Sequence, residues 1–210
     1  MRESMKKIGK TALCIALMVL MMTGCGEAKL PDTIDNSMIS VTKTGEVTEY
    51  LVGDFFEKNF YDLSGLKSMA VEEAAQYNTE TQAGDTVPVK VESVEMLEDG
   101  SNRVCIVYRY DSAETYTGFN RESSLFYGTV EEAVSKGYST KVVLTSVKGG
   151  DSLTEEQLKQ AANKYLIIAP GGVYVYCPGK VEYISENASV SEDGSVDATQ
   201  TEDKVYILLK

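Results

Sequence analysis

The sequence predicts an α+β fold: a mainly antiparallel sheet with three to four helices packed on it, in a single domain. Three observations carry that expectation. Strand-like and helix-like segments interleave without the regular strand–helix–strand spacing of a parallel sheet. Several strand-like pairs are joined by short Gly-bearing turns, as hairpins are. The chain has 210 residues, 43% hydrophobic and 25% charged, which suits one core of ordinary size.

The elements follow in order. Residues 38–41 and 47–52 flank Lys43-Thr44-Gly45-Glu46, so a first hairpin is expected. An aromatic cluster over 55–61 comes next, and Asp62 can cap a helix over 63–77. There the apolar residues 63, 66, 69, 70, 74 and 77 recur at helical spacing, and their stripe should lie on a sheet. Residues 86–97 alternate through Val87, Val89 and Val91, then slip phase to Val94 and Met96, which predicts a strand with a bulge. An Asp99-Gly100 turn joins it to a strand over 103–110. Asp111 with Glu114 three later predicts a capping box and a short helix to Asn120. A strand is expected over 123–128. Thr129 with Glu132 repeats the capping-box signature, and Gly137 can close that helix. Residues 140–147 are strongly β-branched and read as a strand. Thr154 with Gln157 opens a helix through Ala162, with Asn163 as its stop. Residues 165–169 form a short apolar strand, Pro170-Gly171-Gly172 turns the chain, and 173–177 returns. Residues 180–185 and 204–209 are the last strands. Between them, 187–202 is acidic and Ser-rich and reads as a mobile hairpin or loop.

The first 25 residues read as an address. Arg2, Lys6, Lys7 and Lys10 form a positive start, and residues 11–22 are apolar and uncharged. That run is too short for a resident membrane helix, which needs about 20 residues, and fits a secretory leader. Met22-Thr23-Gly24-Cys25 closes it. Small residues before a Cys at that place resemble the lipobox of bacterial lipoproteins. The resemblance implies processing at Thr23 and Gly24, cleavage before Cys25 and a diacylglycerol on its thiol. Residues 1–24 would then be the leader, 25–37 the lipidated Cys and a tether, and 38–210 the domain. The polar run 26–36 can reach about 35 Å when extended. Removing the leader takes away four basic residues and one acidic, so a net charge of −12 becomes −15 in the mature 186 residues. Anionic headgroups would repel such a body, so the two acyl chains must hold it.

Two cysteines, Cys105 and Cys177, remain in β-like apolar runs. They can form one disulfide or stay as two buried thiols, and spacing alone does not choose between these.

Composition removes several functions. The chain has no His, so imidazole bases, Ser-His and Cys-His pairs and His-ligated zinc are gone. Its acidity argues against nucleic acid. Residues 47–52, the Phe60-Tyr61-Asp62-Leu63 entry into a helix, 125–133 and 204–209 resemble lipoproteins of Clostridia-like Firmicutes. These are packing and capping patterns, so the resemblance carries over no functional residue except Cys25.

The remaining motifs read as structure. Ser64-Gly65-Leu66-Lys67 with Lys43-Thr44-Gly45 resembles the serine β-lactamase and penicillin-binding pattern, but in the wrong order and on too short a chain. The acidic pairs Glu72-Glu73, Glu131-Glu132, Glu155-Glu156 and Glu192-Asp193 suit first turns and solvated faces better than glycosidase chemistry. Residues 191–197 lack calcium-loop spacing. The Gly-Gly pairs at 149–150 and 171–172 lack a phosphate-loop frame. Tyrosines such as Tyr108, Tyr110, Tyr116, Tyr127, Tyr138, Tyr174 and Tyr176 could form an exposed stacking face or simply half-buried strand positions.

The expectation is therefore a lipid-anchored protein on the extracytoplasmic face of the cell membrane. It acts as a non-catalytic binding or scaffolding module without cofactor or metal. Its partners are the membrane through Cys25 and a protein, peptide or glycan ligand, not nucleic acid. An envelope hydrolase and a structural subunit of a surface assembly are the alternatives.

Overall fold

The computed structural model describes residues 30–56, 62–81, 86–121 and 124–210. Along the chain the elements are β1 (Met38–Val41), β2 (Val47–Asp54), α1 (Leu63–Glu80), β3 (Val89–Met96), β4 (Arg103–Tyr110) and α2 (Ala113–Asn120). Then come β5 (Phe126–Thr129), α3 (Val130–Ser135), β6 (Leu144–Ser146), β7 (Ser152–Leu153), α4 (Glu155–Gln160) and β8 (Tyr165–Ala169). The last are β9 (Tyr174–Tyr176), β10 (Val181–Ser185), β11 (Ser189–Val190), β12 (Val196–Asp197) and β13 (Val205–Leu209). They build a seven-stranded sheet in the order β11-β12-β9-β1-β2-β4-β3 and a six-stranded sheet in the order β5-β8-β13-β10-β6-β7. The fold is α+β and mainly antiparallel; β1 with β9 is a parallel pair.

Local signals act where they were read. Asp62 Oδ1 accepts from the Gly65 N–H at 2.7 Å and caps α1. The phase slip after Val91 is a bulge, since Val91 faces Tyr108 while Ser93 faces Val107. Thr129 and Glu132 cap α3 reciprocally, as Thr154 and Gln157 cap α4. Gly137 takes φ +80° just past α3, and its N–H reaches the Val134 carbonyl at 3.0 Å. At α2 the cap lies one residue later than expected: Ser112 accepts from the Thr115 N–H, and Asp111 instead accepts from the Thr115 hydroxyl at 2.5 Å. The expected strand over 140–147 shrinks to β6, the three residues that pair in register with β10. Asn78 guards the edge strand β3. Its side-chain amide donates to the Val89 carbonyl at 2.8 Å and accepts from the Val89 N–H at 2.9 Å, as a neighbouring strand would.

One expectation changes and one open choice is resolved. Pro170-Gly171-Gly172 does not fold a hairpin; it carries the chain from β8 in the second sheet to β9 in the first. The corner is tight, since a Cβ on Gly171 would stand 2.1 Å from the Thr201 carbonyl oxygen. The acidic segment 187–202, expected as a mobile hairpin or loop, takes the hairpin form: β11 pairs with β12 and β12 with β9, with Val196 and Ala198 fully buried. One apolar side chain every second residue ties it to the sheet.

Side-chain alternation then sorts the layers. Ile39, Val104, Ile106 and Val175 from the first sheet meet Ile167, Ala169, Val205, Ile207 and Leu209 from the second in the main core. Ala70 and Ala74 of α1 and Ala113 and Tyr116 of α2 close the same face of the first sheet beside that junction. The bulge in β10 between Val181 and Tyr183 explains why Val181 and Ile184 face this core together. On the outer face of the second sheet, Leu166, Ile168 and Leu208 pack under Val130, Ala133 and Leu158 of α3 and α4. The outer face of the first sheet is different. Met38, Tyr50, Cys105, Val107 and Tyr176 are covered by Leu30 and Ile34, so residues 30–37 lie on the sheet as a strap instead of extending as a tether.

Candidate functional site

The strap creates a cleft. Pro31, Thr33, Ile34, Asp35 and Asn36 form one wall, and Ser191, Glu192, Asp193 and Ser195 of the β11–β12 turn form the other. Met38, Tyr174 and Tyr176 make the floor of this cavity of about 360 Å³. Each wall has a local cause. Arg103 Nη1 donates to the Asp35 carbonyl at 2.6 Å, and Ser37 joins the sheet through its carbonyl, which accepts from the Tyr174 N–H at 3.1 Å. The Ser37 hydroxyl also brackets Val52, accepting from its N–H at 3.0 Å. On the far wall Asp193 Oδ1 accepts from the Ser195 N–H at 2.9 Å and its hydroxyl at 2.6 Å, which fixes the turn. Asp193 Oδ2 accepts from the Tyr176 hydroxyl at 3.1 Å.

Electrostatics follow from these bonds. Partial burial works to raise the Asp193 pKa, but the donors on Ser195 and Tyr176 outweigh it and hold the carboxyl below the usual range. Burial and the Asp193 contact push the Tyr176 phenol up to about 12, so it stays a donor. Burial first, then Asp197 and Asp193, raise Tyr174 as well. The cleft is thus an anionic, aromatic-floored surface with fixed walls, able to accept hydrogen bonds and to seat a cation or a polar chain.

A second carboxylate is buried elsewhere. Glu49 is 8% exposed and points from β2 into the main core. Its Oε2 accepts from the Tyr110 hydroxyl at 2.6 Å and its Oε1 from the Tyr116 hydroxyl at 3.3 Å, while Asn120 Nδ2 approaches at 3.5 Å. Tyr110 packs edge-on to Tyr116 with centroids 5.2 Å apart. Burial raises the Glu49 pKa despite these donors. Burial and the neighbouring Glu49 raise Tyr110 strongly. This cage ties α2 to the sheet. Sequence reading missed it, because Val47-Thr48-Glu49-Tyr50 alternates like any strand and only the tertiary contact tells which face is inward.

The sequence-predicted residues scatter. Thr23, Gly24 and Cys25 lie outside the described residues, as do residues 57–61. Cys105 and Cys177 are free thiols, which corrects the disulfide alternative. They lie on opposite faces of the first sheet, Cys105 on β4 and Cys177 just past the end of β9, with β1 and β2 between, roughly 14 Å apart, twice the reach of a disulfide. Burial pushes Cys105 up to about 11, with Glu95 adding to it, and Cys177 up to about 12, so neither is a nucleophile near neutral pH. The tyrosines do not make one exposed face: Tyr108, Tyr110, Tyr116 and Tyr176 are buried, and Tyr174 and Tyr176 come together in the cleft. Ser64 and Lys67 are exposed on the first turn of α1. Of the acidic pairs, Glu131-Glu132 and Glu155-Glu156 stand in the first turns of α3 and α4. Among the described residues, no group of three or more acidic or Cys side chains is placed to hold a metal ion, and no helix is long and apolar enough to cross a membrane.

No family model, curated protein or solved structure matches this chain.

Proposed function

We propose that the protein is an envelope lipoprotein, held at the extracytoplasmic face of the cell membrane by a lipid on Cys25, and that its domain is a binding module. The observation that carries this reading is the basic start, apolar run and Met22-Thr23-Gly24-Cys25 ending of residues 1–25. The cleft supports the binding half: its carboxylates and aromatic floor suit a cationic, peptide or glycan group. The hydrolase alternative loses its best pair, since Ser64 and Lys67 stand on an open helix turn. Cys25→Ala tests the anchor. The variant should leave the membrane fraction for the soluble fraction, and continued membrane retention would overturn the reading.

A further inference from the structure

The strap limits how the anchored domain can lie. Only residues 26–29 separate Cys25 from Leu30, the first strap residue packed on the sheet. Five residue steps span at most about 18 Å, whereas a domain of this size is about 40 Å across. The strap itself is pinned at Ile34, at the Arg103–Asp35 bond and at the Ser37 bonds, so it cannot lengthen the leash without losing those contacts. The outer face of the first sheet is therefore held near the lipid. The α3–α4 layer lies on the other side of both sheets and cannot reach the same bilayer.

The cleft is on the leashed side, and its chemistry selects what it meets there. Asp35, Glu192 and Asp193 line it, and none of them is in an ion pair among the described residues. Phosphate groups of anionic lipids would be repelled, and ammonium groups would be attracted both to these carboxylates and to the tyrosine faces. We propose that the strap-and-cleft face is the surface by which the anchored protein lies on its bilayer, with ammonium groups of the headgroup layer seated against Asp35, Glu192 and Asp193. This rests on the lipid-anchor reading above.

The chain has no Trp, so a single introduced one reports without background. Thr33→Trp places it at the cleft and Gln160→Trp on α4, both at exposed positions. The lipidated mature protein is bound to vesicles carrying a nitroxide on their headgroups. Flotation is measured first: if neither variant floats with the vesicles, the anchor reading fails and this proposal with it. With anchoring established, Thr33→Trp should be quenched at least about three-fold more than Gln160→Trp in vesicles rich in phosphatidylethanolamine. Equal or reversed quenching would overturn the orientation. The contrast should shrink in pure phosphatidylglycerol vesicles and in Asp35→Asn/Glu192→Gln/Asp193→Asn. A contrast indifferent to both would overturn the ammonium partner.

Discussion

Glu49 and Asp193 are both carboxylates hydrogen-bonded to a tyrosine of the first sheet, yet their acidities move in opposite directions. Glu49 has the shorter tyrosine bond, 2.6 Å against 3.1 Å, and still ends with the higher pKa. It is deep in the core, and its donors are two phenols and a distant amide. Asp193 is near solvent and accepts from a backbone N–H and a hydroxyl in its own turn as well. Water access and the closeness of the donors decide the matter, not the presence of a tyrosine. The same contrast separates a carboxylate that serves packing from one that faces a cleft.

The comparison can be broken at Tyr110 first. Tyr110→Phe removes the shortest donor and leaves Glu49 buried with weaker partners. A loss of about 2 kcal/mol at neutral pH is expected, read as a lower urea midpoint with unchanged slope. An unaltered midpoint would mean that water reaches Glu49 and that burial is not what raises it.

The next test changes the charge. Because the Glu49 pKa is raised in the folded state, its contribution is fully present below the ordinary glutamate value of 4.5 and is lost as pH rises through the folded value. Glu49→Gln should remove that decline, whose slope for one proton cannot exceed about 1.4 kcal/mol per pH unit. Identical pH–stability curves for the two proteins would refute the assignment.

Asp193 has the opposite sign. Its folded pKa is lowered, so its contribution is present above the ordinary value of 3.8 and is lost as pH falls through the folded value. Asp193→Asn keeps one acceptor for Ser195 but removes the charge. The expected cost is about 0.5 kcal/mol near neutrality, vanishing in acid, since the group is partly solvated. A larger loss than that of Tyr110→Phe would reverse the ranking of the two sites.

What could be read from the chain was local. The capping pairs Thr129/Glu132 and Thr154/Gln157, the Asp62 cap, the bulge after Val91 and the Asp99-Gly100 hairpin each depend on residues within a few positions of one another. The shift of the α2 cap from Asp111 to Ser112 shows the limit, since two adjacent residues both carry capping side chains and only the helix register chooses. The cleft was half legible. Glu192-Asp193 and the tyrosines were visible, but their meeting depends on β12 pairing with β9 and on the strap crossing the sheet.

The sequence by itself determined the element types, the capped helices, the tight hairpins and the acidic composition. Each arises from periodicity, turn chemistry or composition, which act over short spans. Tertiary structure alone decided that Pro170-Gly171-Gly172 crosses between sheets, that β9 runs parallel to β1, that Cys105 and Cys177 lie on opposite faces, and that Glu49 turns inward. Those outcomes depend on which apolar faces cover one another across long separations, and any single strand can satisfy its own pattern on either side of a sheet.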